Sequence, residues 1–237
     1  MKKNLFFCTI LLILAVLTPP VSGQGTEKDT RDLKGFTRIS FGIAGDLNIK
    51  IGPEFRVVLE GQQSDLDEII TEVSGDRLII KQDSWRFNFR DKVTINITLP
   101  ELTGLGVSGS GKAEILDPIK NADDLSLSVS GSGKLLTAGI EVDAIDCSIS
   151  GSGNIVIGAP GSADRGKISI SGSGNFTGQN IEVDHLDVHV SGSGNCQCKA
   201  GDSLSASISG SGNITYSGDP KIDVRVSGSG QFRYAIR

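Results

Sequence analysis

The sequence predicts an all-β fold, a single-stranded parallel β-helix (a β-solenoid) of about seven rungs preceded by a β-rich N-terminal section, and three observations carry that prediction. First, Ser-Gly-Ser-Gly occurs seven times, beginning at Ser108, Ser130, Ser150, Ser171, Ser191, Ser209 and Ser227, in steps of 18 to 22 residues. A step of about 20 residues is too short for a helical pair or a propeller blade. It fits one solenoid turn, which buries its apolar face only by stacking on its neighbours. Second, the residue before each motif is β-branched (Val107, Val129, Ile149, Ile170, Val190, Ile208, Val226), and the column two positions earlier is apolar (Leu105, Leu127, Cys147, Ile168, Val188, Ala206, Val224). The residues between them are Ser, His, Arg or Gly. That period of two marks a half-buried strand. Third, aromatics make up only 5% of a chain with 31 Gly, so its core is built from small and β-branched side chains. A flexible Gly/Ser linker has no reason to keep such apolar registers. A right-handed coil is the expected sense.

Taken from the N-terminus, Lys2 and Lys3 precede an apolar run from Leu5 to Leu17, then Pro19, Pro20 and small residues. This reads as a signal peptide over residues 1–23, cleaved before Gln24, and the run is too short to span a bilayer comfortably. Cys8 lies inside the run and not at its end, so lipid acylation is not expected. The product would be exported to the periplasm, the outer surface or the medium, with no integral membrane segment. Loss of Lys2 and Lys3 takes the formal charge from −5 to −7 and leaves Cys147, Cys196 and Cys198. An odd count argues against a disulfide framework. All three have inward parity, as small buried thiols do.

Residues 24–106 form the N-terminal section. Strands are expected at Arg38 to Phe41, Leu47 to Ile51, Arg56 to Glu60, Glu68 to Val73, Arg77 to Lys81 and Lys92 to Leu99, separated by turns such as Gly52-Pro53 and Ser74-Gly75-Asp76. Ser64 to Ile70 has at most one uncapped helical turn. Only Pro100 to Gly104 separate the last strand from the first repeat, so the two sections should share one stack or pack end to end.

Residues 107–237 are the array. After each motif come Lys112, Lys134, Asn154, Asn175, Asn195, Asn213 and Gln231, and then an apolar residue that restarts a strand. Asn suits a left-handed corner, and stacked Asn side chains can hydrogen-bond from rung to rung. Unbroken strand parity through the motif would turn both glycines inward and both serines outward. The outer face would then carry two serine ladders beside an amide ladder.

The segments Arg38 to Phe41, Leu47 to Ile49, Arg77 to Ile80, Val93 to Pro100 and Val107-Ser-Gly-Ser-Gly resemble the family described as putative autotransporter adhesin, head GIN domain. The resemblance covers essentially all of the mature chain and implies an exported β-helical protein of Bacteroidetes-like bacteria. With the sequence ending at Arg237, a membrane-embedded translocator barrel is not expected, so the likeness is to a detached passenger-like head.

Enzyme chemistry finds little support in the residues. His185, Asp187 and His189 share one outward strand face, but four residues along a strand separate the two imidazoles by about 13 Å, too far for one metal. The column Asp146, Lys167, Asp187, Ser205, Asp223 places opposite charges on successive rungs, where they can pair. β-Helix enzymes that cleave acidic polysaccharides use such faces, which keeps a lyase or hydrolase as a competing reading. Asn96, Asn175 and Asn213 head glycosylation triplets, and two of them belong to the repeated corner. The acidic chain lacks the basic stripe that nucleic acid requires. No catalytic residue, cofactor or metal site is expected. The candidate ligand contact is Trp85, Arg86, Phe87, Phe89 and Arg90, alternating aromatics flanked by Arg that would either bind a partner or seal the first rung. The expected function is non-catalytic binding or adhesion, presenting a Ser/Asn surface to an extracellular glycan or surface protein. The alternative is a structural envelope spacer that self-associates into a homo-oligomer.

Overall fold

The computed structural model describes residues 26–83 and 92–235. The N-terminal section contains β1 (Glu27–Arg31), β2 (Arg38–Gly42), β3 (Asp46–Ile51), β4 (Arg56–Gly61), one helical turn α1 (Gln63–Leu66), β5 (Ile69–Ser74), β6 (Arg77–Gln82) and β7 (Thr94–Leu99). The strands expected from alternation all form, and α1 lacks a side-chain cap as its sequence implies. β1 was not foreseen, because Glu-Lys-Asp-Thr-Arg has no apolar residue and hence no periodic signal.

The array continues with β8 (Gly104–Gly109), β9 (Lys112–Ile115), β10 (Ile119–Gly131), β11 (Lys134–Thr137), β12 (Ile140–Gly151), β13 (Asn154–Ile157) and β14 (Gly161–Gly172). It closes with β15 (Asn175–Gly192), β16 (Asn195–Gly210), β17 (Asn213–Ser217), β18 (Lys221–Gly228) and β19 (Gln231–Tyr234). Motif stacks on motif without slippage: Ser130 and Gly131 pair with Ser150 and Gly151, and these with Ser171 and Gly172. All pairing between successive rungs of the array is parallel, as a solenoid requires.

The two sections do form one stack. β2 pairs in parallel with β8 on one side and β6 on the other, and β3 likewise lies between β9 and β7. Spatial order therefore departs from chain order: the β2–β3 level sits between the later β6–β7 level and the array. Beyond β6 and β7 the pairing turns antiparallel, with β5 on β6, β4 on β7 and β1 outermost on β4. One continuous apolar core runs from Phe36 to Ile214.

The motif itself departs from simple alternation. The second glycine is buried, as expected, in every motif but the last, while the first forms a corner with positive φ, +106° at Gly131 and +112° at Gly151. An L side chain is strained at such angles. Even with that strain accepted, a Cβ on Gly151 would stand 2.6 Å from the carbonyl oxygen of Gly131. The second glycine is required for packing: a Cβ on Gly153 would strike Val129 Cγ1 and the Gly133 carbonyl oxygen. Because the first glycine takes the corner, Asn is free to open the next strand. The amide ladder forms there, Asn175 Nδ2 donating to Asn154 Oδ1, Asn195 to Asn175 and Asn213 to Asn195, each at 2.9 Å. The same device recurs in the N-terminal section, where Asn48 Nδ2 donates to Asn96 Oδ1 at 3.0 Å.

Cys147, Cys196 and Cys198 are buried free thiols. Burial, assisted by the Asp146 charge, pushes the Cys147 thiol up. The Cys196 thiol is raised by its hydrogen bond with Cys198 and by burial. Both therefore stay protonated and unreactive, in keeping with a packing role.

Candidate functional site

The outward side chains of the long array strands are arranged in columns by the register. One column runs Asp124, Ala144, Arg165, His185, Ser203; two residues on lies Ser126, Asp146, Lys167, Asp187, Ser205. All of these but Ser205, together with Arg38 and Asp76 from the N-terminal section, line an open groove of about 950 Å³ that crosses several rungs. The groove joins the two sections, because Arg38 lies on β2 and Lys167 on β14.

Charge in this groove is mixed and unspent. The expected pairing along Asp146, Lys167 and Asp187 does not form: among the described residues no ion pair joins Lys167 to either carboxylate, although all three stand in register. Neighbouring side chains on a strand face point outward side by side, and hydration competes with so exposed a contact. The ion pairs that do form lie elsewhere, as at Lys120–Glu141 and Lys199–Glu182. Within the groove His185 Nδ1 lies 3.0 Å from Ser203 Oγ on the next rung. His189 stands apart, in a shallow serine-lined trough of about 370 Å³ with Ser148, Ser169 and Ser207. The two imidazoles thus face separate depressions, and among the described residues no cluster of three or more His, Cys, Asp or Glu is arranged for a metal ion.

A second charged feature escaped the reading of the sequence. Seven residues before the first six motifs stand Glu101, Asp123, Asp143, Asp164, Asp184 and Asp202, an acidic column on six successive rungs, all exposed, and Pro220 takes the place before the seventh. They mark the bend in the long strands: the paired register runs from Ala122 and Val142 directly to Asp124 and Ala144. Of these, Glu101 and Asp123 line the groove. Aligning the copies three residues further upstream would have found them, but an acidic column has no apolar alternation to draw attention to it.

Trp85, Arg86, Phe87, Phe89 and Arg90 fall within residues 84–91, outside the described residues. The described aromatic contacts lie at the two ends of the stack, Phe36 with Phe55, and Tyr216 with Phe232 and Tyr234.

Fold and face together define a β-solenoid that displays an open multi-rung groove, lined by charged groups and by apolar ones such as Leu125, Ile145 and Leu186. The chain belongs to the family described as "Putative auto-transporter adhesin, head GIN domain", which matches residues 35–220. Its fold is shared by an adhesin-described protein of Bacteroides fragilis, at 22% identity and a TM-score of 0.84 over 90% of this chain and 98% of the other. A second, from Parabacteroides distasonis, has 23% identity and a TM-score of 0.74 over 90% and 98%. A third, also from Parabacteroides distasonis and described as a lipid binding protein, has 24% identity and a TM-score of 0.70 over 90% and 97%. No curated protein matches the sequence. No helix among the described residues is long and apolar enough to cross a membrane.

Proposed function

We propose that this protein is an exported, non-catalytic binding module that holds an extended glycan along the groove. The observation that supports this most is the groove's set of charged and hydroxyl groups, Arg38, Asp146, Arg165, Lys167, Asp187 and Ser203, which form no ion pair with one another. Carboxylates accept hydrogen bonds from sugar hydroxyls, while guanidinium and ammonium groups donate to ring and carboxylate oxygens. Successive rungs about 4.8 Å apart repeat those groups on the scale of a sugar residue, so affinity would accumulate along a chain. The family's adhesin description is consistent with this use.

A glycan array with the purified protein tests it, together with an assay for released sugar on every polysaccharide bound. The expected result is binding to a subset of charged or hydroxyl-rich glycans, loss of about tenfold in affinity for Arg165→Ala with Lys167→Ala, and no released product. Stability of that variant should stay within about 0.5 kcal/mol, because both side chains are exposed. Sugar release would turn the reading to a polysaccharide-active enzyme. The Trp85 to Arg90 segment is a second candidate contact, and Trp85→Ala in the same array shows whether it contributes.

A structural role as an envelope spacer is the second reading. It is favoured by the last rung, whose inward side chains are uncovered.

A further inference from the structure

The final rung is an open sheet edge. β18 pairs with β16 on one side, and among the described residues no strand lies on its other side. Its inward residues Ile222, Val224 and Val226 are 45%, 40% and 45% exposed, whereas their counterparts one rung back, Leu204, Ala206 and Ile208, are 1%, 3% and 2% exposed. A flat edge with unpaired backbone donors and acceptors over apolar side chains is a template for another strand.

The sequence of β18 specifies which strand. Consider Lys221-Ile222-Asp223-Val224-Arg225-Val226-Ser227 laid antiparallel against itself about a two-fold axis at Val224. Ile222 then faces Val226 of the second copy, Val224 faces Val224, and Asp223 faces Arg225 twice over. The apolar set closes over the exposed core ends, and the outward set exchanges the Arg225–Asp223 pair that each chain makes within itself for two symmetric pairs between chains. Moving the register by two residues one way sets Asp223 against Asp223 and Lys221 against Arg225. Moving it by two the other way sets Arg225 against Arg225. A shift by one residue puts inward side chains opposite outward ones. One register therefore satisfies both faces, and its neighbours oppose like charges.

The opposite end of the stack does not offer a matching partner. Its edges are covered by antiparallel β1 and β5 and carry the ion pairs Lys28–Glu60, Arg31–Asp29 and Lys81–Glu72. Charged edge strands resist sheet extension. A closed two-fold pair is thus favoured over a head-to-tail filament.

From this self-complementary register we infer that β18 is a docking surface for β18 of a second copy of this chain, joining two solenoids tail to tail through a continuous sheet.

Sedimentation velocity of the purified protein across a concentration series, with charge variants, tests this. The wild type should show a concentration-dependent dimer. Arg225→Asp alone and Asp223→Arg alone should each weaken the dimer by roughly ten- to a hundredfold, since two contacts become repulsive. The double variant Asp223→Arg with Arg225→Asp should recover it. Val224→Cys should form an intermolecular disulfide under mild oxidation, while circular dichroism verifies that each variant is folded. A wild type that stays monomeric throughout, filaments in place of dimers, or failure of the double variant to recover association would overturn the inference.

Discussion

The two ends of this solenoid have the same problem and meet it differently. At the N-terminal end the parallel stack gives way to antiparallel strands, and β1 carries charge on nearly every residue. At the C-terminal end β18 has, among the described residues, no strand on its outer side, leaving Val226 in the column of Ile149 but with 45% of its surface exposed where Ile149 has 1%. The comparison teaches that a rung's stability depends less on its own sequence than on having a rung on each side, as expected of a quasi-one-dimensional fold.

The strongest test of that lesson uses one substitution at two heights in one column. Ile149→Asp places an unpaired carboxylate between two covering rungs and should cost several kcal/mol, enough to unfold the middle of the stack. Val226→Asp, in the equivalent position of the last rung, should cost under about 1 kcal/mol in the monomer because water reaches it. Denaturant midpoints measured at low protein concentration decide this, and equal losses would show that the terminal rung is covered. A smaller effect separates the ends by truncation. Leu59→Ala, within the antiparallel cap, removes a fully buried side chain and should cost about 2–5 kcal/mol, against less than about 1 kcal/mol for the half-exposed Ile222→Ala. Thermal melts of the two variants would contradict the asymmetry if they shifted equally.

The smallest effect concerns what the stack tolerates between its ends. Six acidic side chains on consecutive rungs repel one another, and Asp164 has an acidic neighbour on both sides. Asp164→Asn should therefore raise stability, by about 0.2–1 kcal/mol at low salt, with the gain fading as salt screens the column. A loss of stability instead would mean that Asp164 makes a contact essential to the bend.

The array was legible in the sequence because its physics repeats. Val, Ile and Leu at fixed offsets from each motif, and Asn four residues past its first Ser, reported burial and laddering several times over. The role of the first glycine was not legible, since either a corner or a tight inward packing position demands the absence of a Cβ. The positive φ at Gly131 marks the corner, and the Val129 contact at Gly153 marks the packing position. The groove was legible only in part: Asp146, Lys167 and Asp187 were visible as a column, but that Arg38 joins them depends on β2 stacking against β8, a pairing that no local pattern encodes. Nor could alternation find β1, whose stability comes from backbone pairing with β4 and from Lys28–Glu60.

The inserted level formed by β2 and β3 has a consequence for the time course of folding. Residues 38–51 are synthesised early, yet their partners on one side are residues 77–99 and on the other residues 104–115. Until a chain has reached about residue 115, this level has no complete surroundings, and closing those loops sets a slow first step. From β8 onward each new rung adds to a finished template through a closure of about 20 residues, so growth after the seed should be fast and directional. A chain emerging N-terminus first would wait for its seed, then zip toward the open edge.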